Sequence, residues 1–83
     1  MKELWYFSAP WCGPCKSFGP VMEQLSAEGS IKLRKVNIDY EADVITKFGV
    51  RSVPTVILVE NGEEVNRFVG ARDANFVKQF YNG

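Results

Sequence analysis

Trp11-Cys12-Gly13-Pro14-Cys15-Lys16 contains both cysteines of this 83-residue chain, three positions apart. A disulfide between them closes a ring of about four residues. Such a ring constrains the unfolded chain by roughly 1.9 kcal/mol, against about 4.7 kcal/mol for a ring of a hundred residues. The pair is therefore a poor staple and makes better sense as a bond that opens and closes. Two other readings of a bare Cys-x-x-Cys are a metal site and two inert core thiols. A tetrahedral structural zinc site needs four ligands. The chain has two cysteines and no histidine, so only a shared site in a dimer, or carboxylates completing the shell, would serve. No metal and no bound cofactor are expected.

Composition sets the broad class. Ten basic and ten acidic residues cancel, which argues against a nucleic-acid or anionic-membrane partner found by bulk charge. Met1-Lys2-Glu3 runs straight into Leu4-Trp5-Tyr6-Phe7, too short for a signal peptide, and no apolar run approaches the roughly twenty residues of a membrane span. The expectation is a cytoplasmic monomer working in a reducing compartment, where a cycling disulfide is natural. No linker, repeat or low-complexity stretch divides residues 1–83, which read as one domain.

The pattern outside the cysteines orders the elements. Leu4 to Phe7 is a short apolar strand. A helix begins near Cys12, with Cys15, Phe18, Val21, Met22 and Leu25 on one stripe; Gly19-Pro20 kinks it and Gly29 closes it. Ile31 to Ile38 is a second strand, on which Lys35 shares a face with Ile31 and Leu33. A short helix opened by Asp39 or Glu41 carries Val44, Ile45 and Phe48, with Gly49 as its cap. Thr55 to Val59 is a β-branched run suited to a central strand, and Asn61-Gly62 signals a tight hairpin that returns Glu63 to Val69 antiparallel. Asp73 caps a last helix packed through Phe76, Val77, Phe80 and Tyr81. These elements make a mixed four-stranded α/β sheet with three helices on its two faces.

Placement differentiates the two thiols. Cys12, where strand turns into helix, lies beside unpaired N–H groups and the positive end of the macrodipole, which favours thiolate. Cys15, one turn further along the apolar stripe, is expected to be the more covered. Cys12 is then the attacking thiol and Cys15 the resolving one. Pro14 suits a first helical turn, and Gly13 lets a substrate chain approach.

Ala9-Pro10-Trp11-Cys12-Gly13-Pro14-Cys15-Lys16 resembles the active-site signature of the thioredoxin family. Lys35-Val36-Asn37-Ile38-Asp39, Phe48-Gly49-Val50-Arg51-Ser52-Val53-Pro54-Thr55, Asn61-Gly62 and Val69-Gly70 extend the resemblance over nearly the whole chain. It implies the thioredoxin fold in a minimal form, without the usual N-terminal strand and helix, so that Ile31–Ile38 becomes an edge strand blunted by Lys32 and Arg34. It also implies reversible reduction of protein disulfides, with Val53-Pro54 a cis peptide facing the cysteines. Trp11, Val53, Pro54 and Gly70 would border the substrate, and Lys35 would tune the thiols. Tyr6 stands where the family carries a buried aspartate. Gly70-Ala71-Arg72-Asp73 is similar to the glutathione-holding region of glutaredoxins. The electron donor is thus a thioredoxin reductase-like enzyme or glutathione, and the alternatives are a glutathione-coupled reductase and a non-enzymatic binding module.

Overall fold

The apolar run at the amino terminus forms strand β1, Lys2–Ser8, and the striped segment after it forms helix α1, Gly13–Ala27. Strand β2 is Leu33–Asn37, helix α2 Ala42–Phe48, strand β3 Thr55–Glu60, strand β4 Glu63–Val69 and helix α3 Ala74–Asn82. The computed structural model describes all 83 residues. The sheet order is β2-β1-β3-β4, with β1 parallel to β2 and antiparallel to β3, and β3 antiparallel to β4.

The alternation of side chains along each strand divides the core into two layers. Leu4 and Tyr6 of β1, with Val56 and Leu58 of β3, face Phe18, Met22 and Leu25 of α1 and Val77 of α3. Their chain neighbours Phe7, Ile57 and Val59 point to the opposite face and pack with Phe48 of α2. β3 is thus buried on both faces, which explains its unbroken run Thr55-Val56-Ile57-Leu58-Val59. Helices α1 and α3 cover one face and α2 the other.

Local chemistry sets the boundaries. α1 ends where Gly29 N–H bonds the Ser26 carbonyl and Ser30 N–H bonds that of Leu25, the paired bonds of a Schellman stop. It runs on through Pro20 as one element. Asn61 and Gly62 both adopt positive φ, 54° and 84°, as the tightest hairpin turn requires. Asp73 caps α3 by accepting a bond from Phe76 N–H at 2.8 Å.

Several sequence expectations change. β2 is shorter than Ile31–Ile38, although Ile31 is still buried in the α1-side core. β2 is an edge, but Arg34 is no free edge charge: its guanidinium lies 4.2 Å from the Trp5 ring centroid and pairs with Glu41 at 3.4 Å. Glu41 opens α2 without a side-chain cap bond. In β4, Leu58 pairs with Asn66 and Val59 with Glu64, so Val65 is extra and makes a bulge. Arg67, beyond it, reaches the opposite face to donate to the Phe48 carbonyl at 2.6 Å, satisfying the end of α2. Glu64 is the other partner of Arg67, at 2.5 Å. Phe76, expected in the core, is 42% exposed.

Candidate active site: the Cys12–Cys15 pair

β1 ends at Ser8, and the chain turns through Ala9-Pro10-Trp11 with Cys12 N–H bonded to the Ala9 carbonyl at 3.1 Å. Cys12 is extended (φ −82°, ψ 115°) and is the N-cap of α1, with Gly13 and Pro14 filling the first turn. Its Sγ accepts a hydrogen bond from Cys15 N–H at 3.2 Å. A sulfur thus occupies the capping place usually taken by a hydroxyl or carboxylate, facing amide hydrogens that stabilise negative charge. The two Sγ atoms are joined in a disulfide, their Cα atoms 5.3 Å apart.

Burial does not separate the thiols as expected. Cys12 is 4% and Cys15 7% exposed. Both lie in a small cluster with Ala9, against which Ile38 and Val53 pack, so in the closed pair the N-cap position, and not exposure, distinguishes Cys12.

Val53-Pro54 is cis, as the resemblance implies, and Pro54 is fully buried. The Pro54 carbonyl accepts from Gly70 N–H at 2.8 Å, tying the segment to the end of β4. Val53, by contrast, has neither its N–H nor its carbonyl engaged within the chain. Those two groups, beside the cysteines, can pair with an extended segment from another molecule. Trp11 is 65% exposed and is held from below by a hydrogen bond from its Nε1 to Asp39 Oδ1 at 3.3 Å. Gly13 and Pro14 are exposed, and nothing lies within 4 Å of where a Cβ of Gly13 would be. Of the residues named from the sequence, Gly13 and Pro14 follow Cys12 in the first turn of α1 and Val53 packs on the cysteine cluster, while Gly70 is joined to this region through the Pro54 carbonyl.

A groove of about 490 Å³ opens on the other side of the α1 start, lined by Tyr6, Cys15, Lys16, Glu23, Lys35 and Glu41 among others. Tyr6 is 3% exposed and packs edge-on against Phe18 at 5.5 Å. Its hydroxyl donates a long bond, 3.5 Å, to the Cys15 carbonyl. Burial holds its phenol above the ordinary range; the Ser8 hydroxyl opposes this and the Glu23 carboxylate adds to it. Lys35 is in this groove but is not a free charge, because its Nζ pairs with Glu23 Oε1 at 2.8 Å. Sequence reasoning missed Glu23. Its only signal is that it lies eight positions after Cys15 on the same helix, just over two turns away. It also missed Asp39 beneath Trp11, a contact across 28 positions that no local pattern announces.

A Cys-x-x-Cys pair closing reversibly at a strand-to-helix junction, on a mixed sheet flanked by three helices, defines a dithiol–disulfide oxidoreductase. Residues 2–82 match the family model described as Thioredoxin. The chain is 46% identical over 79 residues to a thioredoxin of Haemophilus influenzae, a match covering 88% of this chain and 74% of that protein. It is likewise 46% identical over 77 residues to a thioredoxin of Chlamydia caviae, covering 92% and 76%. Among solved structures, a single-site mutant of a thioredoxin from Halobacterium salinarum superposes with a TM-score of 0.89 at 34% identity, over 98% of this chain and 72% of that one. The chain belongs to the thioredoxin family. It spans about three-quarters of the length of these bacterial relatives.

Proposed function

We propose that the chain reduces disulfides in other proteins, with Cys12 as the attacking thiol, Cys15 as the resolving thiol and a thioredoxin reductase-like enzyme as electron donor. The observation that carries this reading is the disulfide-forming pair at the N-cap of α1 beside Val53, whose backbone N–H and carbonyl have no partner in the chain. In the reduced protein the Cys12 thiolate, favoured by the helix N-terminus, attacks one sulfur of the substrate disulfide. A mixed disulfide forms and the other substrate sulfur leaves as a thiolate that takes a proton. Cys15, deprotonated, then attacks Sγ of Cys12 and releases the second substrate thiol. Two electrons pass from the dithiol to the substrate, and the closed Cys12–Cys15 disulfide remains. No cofactor is required, because the thiols carry the electrons.

The donor assignment rests on two observations. The relatives are thioredoxins, and Asp73, the carboxylate of the glutaredoxin-like Gly70-Ala71-Arg72-Asp73 segment, is engaged in capping α3. A reducing compartment such as the cytoplasm suits a pair that must be reopened each cycle. The test is a coupled assay following NADPH oxidation with insulin as substrate, supplied in one arm with thioredoxin reductase and in the other with glutathione and its reductase. Turnover in the first arm, well above the second, is expected. Turnover only with glutathione would reassign the donor, and insulin reduction that survives Cys12→Ser would overturn the reading.

A further inference from the structure

The ten acids and ten bases of the chain balance, but they are unequally paired. Its four ion pairs use Arg34, Lys35, Arg67 and Lys78. Arg72, between β4 and α3, has no carboxylate within 4 Å, yet it is held in place. Its Nη1 donates to the Ala71 carbonyl at 3.0 Å. Its guanidinium lies 5.9 Å from the Phe68 ring centroid and 5.5 Å from that of Phe76. The exposure of Phe76 acquires a reason here: with Phe68, 5.2 Å away and edge-on, it makes a platform under the cation. An arginine resting on aromatic rings keeps its charge and loses less freedom on binding than a free surface lysine.

The platform is joined to the cysteine cluster through Gly70, Pro54 and Val53. Gly70 N–H bonds the Pro54 carbonyl, and Val53, next in the chain, packs on the Cys12–Cys15 cluster. A Cβ at Gly70, whose φ is +96°, would lie 3.1 Å from Arg72 Nη1. The guanidinium therefore overhangs the Gly70 backbone, two residue contacts (Pro54 and Val53) from the cysteine cluster. Asp73, the adjacent acid, does not compete for it, since its Oδ1 accepts from Phe76 N–H.

We infer that Arg72 determines substrate specificity, by selecting disulfide-bearing polypeptides that carry Asp or Glu on the side of the disulfide lying over Gly70. This rests on the protein-disulfide reductase reading above. A guanidinium with one of its five N–H donors committed retains a free fork for a carboxylate. The pair would be solvent-facing, which limits its effect to about 1.4- to 5-fold in rate, and pre-organisation of the cation places it in the upper part of that range.

The test uses two disulfide-linked model peptides that differ only in Glu or Gln at the positions flanking the cysteine. Both are reduced by the pre-reduced full chain in a single turnover, with products quantified by chromatography and an apparent second-order rate constant obtained from each. The parent should prefer the Glu peptide about 3- to 5-fold at low ionic strength, a preference largely lost in 1 M salt. Arg72→Gln and Arg72→Met, the latter keeping an apolar stem on the rings, should bring the ratio to about one. Lys32→Gln, the same loss of charge just before the edge strand β2, should leave it unchanged. A parent ratio near one, or a ratio that persists without Arg72, overturns the inference while reduction of the Gln peptide upholds the general activity. Failure to reduce either peptide overturns both.

Discussion

Tyr6 is a buried phenol bonded to the Cys15 carbonyl beneath the active-site helix, and two substitutions separate its roles. Tyr6→Phe keeps the buried ring against Phe18 and removes only a hydroxyl whose bond to the Cys15 carbonyl is 3.5 Å long. The cost should be about 0.5 kcal/mol, the low end for a hydrogen bond, or about 2–4 °C in Tm for a domain of this size. Tyr6→Asp removes an aromatic side chain that is 3% exposed and buries a carboxylate in its place. The packing loss alone is about 3–5 kcal/mol, a Tm decrease on the order of 20 °C. The redox effect has a separate origin. For an assumed separation on the order of 8 Å and an effective dielectric of about 20, a carboxylate at this position would oppose a thiolate by roughly 2 kcal/mol. For a two-electron couple that is a potential about 40 mV more negative. Burial raises the titration of such an acid, so the gap from the parent should be small at low pH and widen as pH rises and the carboxylate ionises. Thermal melts and equilibration against glutathione buffers from pH 6 to 9 measure both effects. A Tyr6→Asp potential equal to or less negative than the parent at pH 9 would refute the reasoning, as would Tyr6→Phe shifting the potential as far as Tyr6→Asp.

The groove charges and the β4 ion pair supply two more predictions. Glu23→Gln leaves the Lys35 cation uncompensated beside Cys15, which favours the reduced state; because both side chains are more than half exposed, the potential should rise by only about 5–20 mV at low salt. Equilibration against glutathione in 10 mM and 1 M salt checks this, and a more negative potential would contradict it. Glu64 is held below the usual carboxylate range, chiefly by the hydrogen bond from Arg67. Its folded-state titration is depressed, so the pair's contribution is fully present above the unfolded value of about 4.3 and is lost as pH falls through the folded one. Glu64→Gln should therefore destabilise by up to about 1 kcal/mol in urea melts at pH 7, an effect that disappears toward pH 2–3; a difference that persists at pH 2 would contradict the assignment.

The elements were legible in the sequence where the determining forces are local. The β-branched run at Thr55–Val59 announces a strand buried on both faces, Asn61-Gly62 the turn, Asp73 a cap, and the stripe through Phe18, Met22 and Leu25 a helix covering a sheet. The features that escaped reading are set by packing between distant segments. Arg67 meets the Phe48 carbonyl across 19 positions and Lys35 meets Glu23 across 12; a charged residue alone does not reveal which partner the fold will bring to it. The Val65 bulge leaves no trace in the alternation of β4, where the residues from Glu63 to Asn66 are all exposed. The equal covering of Cys12 and Cys15 is likewise unreadable, because Ala9, Ile38 and Val53 come from three different segments. The chemistry-bearing motif was plain; its electrostatic surroundings were not.

The central claim is the division of labour between the two cysteines. It is tested most directly by incubating the reduced Cys12→Ser and Cys15→Ser proteins with a disulfide-bearing protein substrate and measuring covalent adducts by intact mass under non-reducing conditions. Cys15→Ser should accumulate a one-to-one mixed disulfide through Cys12, released by dithiothreitol, while Cys12→Ser forms little or none. An adduct that accumulates in Cys12→Ser and not in Cys15→Ser would contradict the account.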